Sequence, residues 1–133
     1  MNEVLFGLSD GVLLVNKPTG ITSHTCLHIV RKQLMQPKAG HTGTLDPLAT
    51  GLLPLCLGEA TKFSRFLLDA GKAYRVTALL GAETDTGDSM GQVIGTTAVP
   101  AFTVDLLTNT LRSFLGQQLQ IPPMYSALKV QGK

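Results

Sequence analysis

The chain has 133 residues, the length of one domain, and its 44% hydrophobic share is enough to bury a core. Charged residues make up only 15%, against roughly 25% in ordinary soluble domains, which with 14 glycines predicts a surface partly covered by something else. The net charge is +2, no apolar run has the length of a membrane helix, and the N-terminus shows no basic-then-apolar signal pattern, so the chain reads as cytoplasmic.

Residues 11–16 are apolar and β-branched with little alternation, which predicts a buried strand. Lys17 to Gly20 reads as a turn. Ser23 is placed to cap a helix running to about Met35, with Cys26, Leu27, Val30 and Leu34 on its apolar side. Pro37 to Gly51 reads as one long irregular segment, of a length that is usually functional in a compact domain. Leu52 to Leu57 is a short apolar strand, and Gly58-Glu59 opens a helix to about Leu68 with Ala60, Phe63, Phe66 and Leu67 inward. Tyr74 to Leu80 alternates as a strand, Thr84 to Gly91 is a turn-rich connection, and Gln92 to Thr97 returns as a strand. Thr103 caps a helix whose stripe is Leu106, Leu107, Leu111 and Phe114, with Gly116 as its stop. Ile121 to Val130 is extended, kept to an edge by Pro122-Pro123. The order predicts an α+β fold with a mixed, largely antiparallel sheet flanked by helices.

The segment Gly40 to Gly51 carries one carboxylate, Asp46, among small uncharged residues and three glycines. Pro47 holds Asp46 in an extended conformation and fixes the chain after it. Local physics leaves two readings: an acid presented for nucleophilic or proton-transfer chemistry, or a turn whose carboxylate bonds its own backbone. His24 and His28 stand four apart on the first helix, a metal-ligand spacing, but with no third ligand a solvated helix face is expected and no metal is implied. Cys26 and Cys56 lie in apolar contexts outside any metal spacing and are expected as buried free thiols. Residues 81–110 hold four acids and no Lys or Arg, while the stretches on either side are net basic. Phosphate contacts and ordinary solvated lysines both remain open as explanations.

Gly40 to Gly51 resembles the catalytic motif of the TruB-type tRNA pseudouridine synthases. Gly11 to Gly20 is similar to the family's opening strand and Lys-Pro element, Leu57 to Lys62 to its next signature, and Lys72 to Val76 to the strand bearing its active-site tyrosine. Gly81 to Asp88 and Pro122 to Lys129 complete six motifs in family order. The resemblance implies isomerisation of the T-loop uridine of tRNA at position 55, without a cofactor, on a base flipped out of the folded loop. By motif position it gives Asp46 the catalytic step, Tyr74 the stacking on the base, and His41 the space the base vacates. It suggests RNA contacts for Lys62 and Asp88, and structural support of the site for Lys17, Pro18, Tyr125 and Lys129. The bland readings stand beside these: a core tyrosine for Tyr74 and plain surface charges for Lys62 and Asp88.

Members of the family continue beyond the position of Lys133, with a second tyrosine, an arginine that pairs with the catalytic Asp, an apolar pocket residue and a small RNA-binding domain. The resemblance therefore implies that residues 1–133 are the N-terminal portion of one catalytic domain, exposing sheet edges and apolar surface. Two alternatives stand beside it: a tRNA-binding or remodelling module without catalysis, which would not need an acid facing the RNA, and the catalytic subunit of a guide-RNA-dependent synthase, which shares the catalytic loop. The wording of His41 to Gly51 is closer to the bacterial stand-alone form. Oligomeric state is not legible.

Overall fold

The computed structural model describes residues 10–119 and divides into two compact units, with the boundary between Tyr74 and Arg75. In the first unit, strand β1 (Gly11–Lys17) is followed by helix α1 (Ser23–Gln33), the short strand β2 (Ala39–His41) and strand β3 (Gly51–Leu57). A 3-10 helix (Gly58–Phe63) and helix α2 (Ser64–Leu68) follow. The sheet order is β1-β3-β2, antiparallel throughout, with Gly11 opposite Leu57 and Lys17 opposite Gly51.

Opposed residues of an antiparallel pair share a face. One face therefore carries Leu13 with Leu55 and Val15 with Leu53; the other carries Val12 with Cys56 and Leu14 with Pro54. Helix α1 covers the first face, where Cys26, Leu27, Leu53 and Leu55 form the core with Val15, Ile21, Val30, Ala39 and Leu45 at its margin. On the other face Val12, Leu14 and Leu52 are more than half exposed. Both thiols are buried and free, and burial pushes the Cys56 thiol up. Pro54 is tolerated in the central strand because β2 ends at His41. Its carbonyl, which accepts from the Thr42 amide at 3.1 Å, faces that side, so the missing N–H interrupts no ladder.

Thr22, not Ser23, caps α1: its hydroxyl accepts the Thr25 amide at 3.0 Å. The helix ends at Gln33, before the expected Met35, which sits at φ 49°. The Gln36 amide there donates to the Arg31 carbonyl at 3.0 Å and the Met35 amide to the Lys32 carbonyl at 3.3 Å, closing the helix end. The expected helix from Gly58 to Leu68 is instead two short pieces, and Phe63 and Phe66 face outward, stacked on each other at 6.4 Å. The break lies at Phe63, whose φ −101° and ψ 2° fall outside the α-helical range; at the start of the first piece Gly58, at φ 57°, turns the chain out of β3, and the Asp10 carboxylate against it accepts the Glu59 amide at 2.8 Å.

In the second unit β4 (Ala82–Thr84) pairs antiparallel with β5 (Val93–Thr96), and helix α3 (Val104–Arg112) follows, capped by Thr103 as expected. The Leu106, Leu107, Leu111 and Phe114 stripe is exposed, and the helix stops at Arg112, ahead of Gly116. The strand expected over Tyr74 to Leu80 does not form. Residues 71–79 have no regular structure, and Tyr74, Val76 and Leu79 are 68%, 80% and 84% exposed. Alternation makes a strand only where a partner takes its backbone hydrogen bonds, and none does so here among the described residues. The α+β class holds, with every described pairing antiparallel. The expected extended segment with Tyr125 and Lys129 lies outside the described residues.

Candidate active site

Strand β2 shortens the irregular segment to residues 42–50, and this loop is fastened at both ends. At its start the Thr42 hydroxyl and amide both donate to the Pro54 carbonyl. Just before Asp46, the buried Ser23 hydroxyl accepts the Leu45 amide at 2.9 Å and lies 3.2 Å from the Leu45 carbonyl, to which it donates. Just after it, the Pro47 carbonyl accepts the Gly20 amide at 2.8 Å and the Leu48 carbonyl accepts the Thr19 hydroxyl at 3.2 Å. Gly20, at φ 86°, adopts a left-handed conformation that favours glycine and brings its amide to the loop. The Asp46 carbonyl accepts the Ala49 amide at 3.0 Å, closing a turn.

The Asp46 side chain itself is exposed, and no hydrogen bond or ion pair engages its carboxylate among the described residues. The carboxylate-to-backbone turn is thus not the arrangement found. Beneath the loop, Lys17 is fully buried and donates from Nζ to the Pro18 carbonyl at 2.9 Å and the Ile21 carbonyl at 2.7 Å. It braces the turn that holds the loop, while Pro18 is exposed on that turn.

His41 closes β2 opposite Leu55 rather than standing in a loop; it is half-buried, and its Nδ1 has no partner among the described residues. Tyr74 is exposed and makes no hydrogen bond or ring contact among the described residues. Lys62 is not a free charge. It pairs with Glu59, which also meets Lys38 at 2.8 Å. Hydrogen bonding to Lys38 first, then to Lys62, holds the Glu59 carboxyl down to about 2, and Glu59 raises Lys62 in turn. Asp88 lies in the second unit, where it accepts the Thr86 hydroxyl at 2.7 Å and the Met90 amide at 2.8 Å; these bonds lower its pKa. Ser23 and Glu59 are the residues of these networks that sequence reasoning passed over. Ser23 carried only the signal of a helix cap, and Glu59 that of a helix start within the Leu57 to Lys62 motif.

Among the described residues no three His, Cys, Asp or Glu side chains are grouped to hold a metal, and His24 and His28 are exposed on α1. None of the described helices is long and apolar enough to cross a membrane.

A three-stranded antiparallel sheet, covered by one helix and carrying a lone acid on a fastened loop, defines an α+β protein whose fastened loop presents one exposed carboxylate, Asp46. Residues 31–133 match the family profile described as TruB family pseudouridylate synthase (N terminal domain). The chain is 58% identical to the tRNA pseudouridine synthase B of Psychrobacter cryohalolentis, over 93% of this chain and 36% of that protein. It is 59% identical to the protein of the same name from Aromatoleum aromaticum, over 93% of this chain and 40% of that one. The solved crystal structure of a Cbf5-Nop10-Gar1 complex aligns at a TM-score of 0.59 and 31% identity, over 92% of this chain and 32% of that one. The chain belongs to the TruB pseudouridylate synthase family. It spans between a third and two fifths of the length of these two curated relatives.

Proposed function

We propose that this chain is the N-terminal portion of the catalytic domain of a tRNA pseudouridine synthase, acting on the T-loop uridine at position 55, with Asp46 as its catalytic carboxylate. The observation that carries the reading is the state of Asp46: exposed and without a partner among the described residues, on a backbone held on both sides. A carboxylate kept only for a turn would be spent on its own loop. The names of the relatives, at 58% and 59% identity, support tRNA as the substrate and the stand-alone form over the guide-RNA form.

The reaction breaks the bond from ribose C1′ to base N1, turns the uracil and joins C1′ to C5. The C5 hydrogen leaves to water and N1 gains a proton, so no oxidant or transferred group is required. Asp46 serves as the nucleophile or base of this sequence. The target base must leave its stack first. On this reading Tyr74 offers a ring face to the flipped base, and the half-buried His41 takes the space left behind. Lys62 and Asp88 contact the RNA backbone or sugar, Lys62 from its pair with Glu59.

The test is tritium release from a T-arm stem-loop labelled at uridine C5. It uses this chain, the chain extended to the length of its relatives, and Asp46→Asn in each. Release by the extended protein that falls by at least about a thousandfold in Asp46→Asn is the expected result, since the removed group makes the reactive contact. Tight binding of the stem-loop with no release by the extended protein would replace the enzyme with a tRNA-binding module. An active Asp46→Asn protein would move the chemistry to another residue.

A further inference from the structure

We propose that Ser23 is the positioning residue of Asp46: its buried hydroxyl ties down the peptide that enters the carboxylate and so sets turnover rather than RNA affinity. The proposal rests on the reading of Asp46 as the catalytic group.

A serine hydroxyl has one proton to give and two lone pairs to receive. Here both functions go to one residue, accepting the Leu45 amide at 2.9 Å and donating to the Leu45 carbonyl at 3.2 Å. Ser23 is 2% exposed, so water does not compete for these bonds. The Leu45 side chain packs at the margin of the core formed by Cys26, Leu27, Leu53 and Leu55. Leu45 is thereby held by its amide, its carbonyl and its side chain, one residue before Asp46. On the far side Gly20 holds Pro47 and Thr19 holds Leu48, both through backbone carbonyls. All of these hydrogen bonds come from residues 19–23, between the end of β1 and the first turn of α1. With Pro47 restricting its backbone as well, Asp46 keeps only its side-chain torsions.

The division of labour between neighbours supports the assignment. Thr22 caps the helix with its own hydroxyl, also 2.9 Å from that of Thr25. Ser23, freed from capping, faces the loop. Two adjacent hydroxyl residues thus serve two partners, one the helix and one the loop. A reacting group displaced by about an ångström loses on the order of a hundredfold in rate while its substrate still binds.

Ser23→Ala and Ser23→Thr are compared with the wild type and Asp46→Asn in the chain extended to the length of its relatives. The readouts are single-turnover release at saturating stem-loop, stem-loop Kd, and amide exchange of Leu45. Ser23→Ala is expected to lose about a hundredfold in single-turnover rate, to keep Kd within about twofold, and to speed Leu45 exchange at least about tenfold; Ser23→Thr, which keeps the hydroxyl, recovers most of the rate. If Ser23→Ala does not hold its fold, the nearly isosteric Ser23→Cys carries the same comparison. A wild-type rate in Ser23→Ala, a rate loss matched by the loss in Kd, or unchanged Leu45 exchange would each overturn the proposal. An inactive wild type or an active Asp46→Asn marks the separate failure of the catalytic reading.

Discussion

Glu59 shows how much a single side chain is held by its neighbours. Its carboxyl lies at about 2, against 4.5 for a free glutamate, because Lys38 and then Lys62 hydrogen-bond it. The folded value is depressed, so the stabilisation is present above the unfolded value and is lost as pH falls from about 4.5 toward 2. A carboxyl-detected NMR titration is expected to place Glu59 near that low value. Lys38→Met is expected to return it further toward 4.5 than Lys62→Met does, because Lys38 is the larger cause. A midpoint near 4.5 in the wild type would mean that the pairs do not persist in solution. Exposure and salt both weaken such pairs, so low ionic strength is the condition of choice. At this scale the sequence was legible where chemistry is local. The lone acid before a proline in a glycine-punctuated loop stood out as Asp46. The Ser23 contact was not legible, since it joins residues 22 apart and the same hydroxyl fits a helix cap equally well. Nor was the Glu59 bridge, which brings Lys38 across 21 residues.

Elements formed where their signals are carried by neighbours in sequence. Thr103 capped α3, and α1 buried Cys26 and Leu27 as its pattern required. Elements failed where they needed a distant partner, as in the missing strand at Tyr74 to Leu80. The junction of β3 with the 3-10 helix depends on such a partner, and it succeeds. Gly58 sits at φ 57°, and a Cβ built on it would lie 1.8 Å from Asp10 Oδ1. Gly58→Ala must therefore adopt left-handed backbone and push away the carboxylate that accepts the Glu59 amide. A loss of about 2–3 kcal/mol in chemical denaturation is expected, about 1–2 of it from the backbone alone. Asp10→Ala gives up the Glu59 bond but clears the space. The double variant should thus cost less than the two single losses added together. Strict additivity would mean that the two residues act independently, and the account of this junction would fail.

Across the whole molecule, burial is concentrated in one unit. Every buried residue among those described falls between Lys17 and Gly58, and none falls in residues 75–119. Among its described residues the second unit has a two-stranded hairpin with a bulge at Glu83/Thr84 and a helix whose apolar stripe is exposed. Two strands without a packed face are marginal in water, and a nine-residue helix draws most of its stability from packing. Opening free energies should therefore differ sharply along this chain. In β1 and β3, seven residues pair with seven, and α1 covers one face of β3. Amide exchange by mass spectrometry is expected to show its greatest protection in peptides covering Leu53 to Leu57. Peptides covering Val93 to Thr96 and Val104 to Arg112 should exchange at least about a hundredfold faster, a difference of roughly 2.7 kcal/mol or more in opening free energy. Equal protection in α3 and β3 would show that the exposed stripe is covered in solution and that burial is shared by both units. The loop bearing Asp46 belongs to the protected unit, because its fastenings come from the β1–α1 turn and from β3. Its slow exchange at Leu45, beside fast exchange throughout residues 75–119, would show that the rigidity around the carboxylate comes from the first unit's own core.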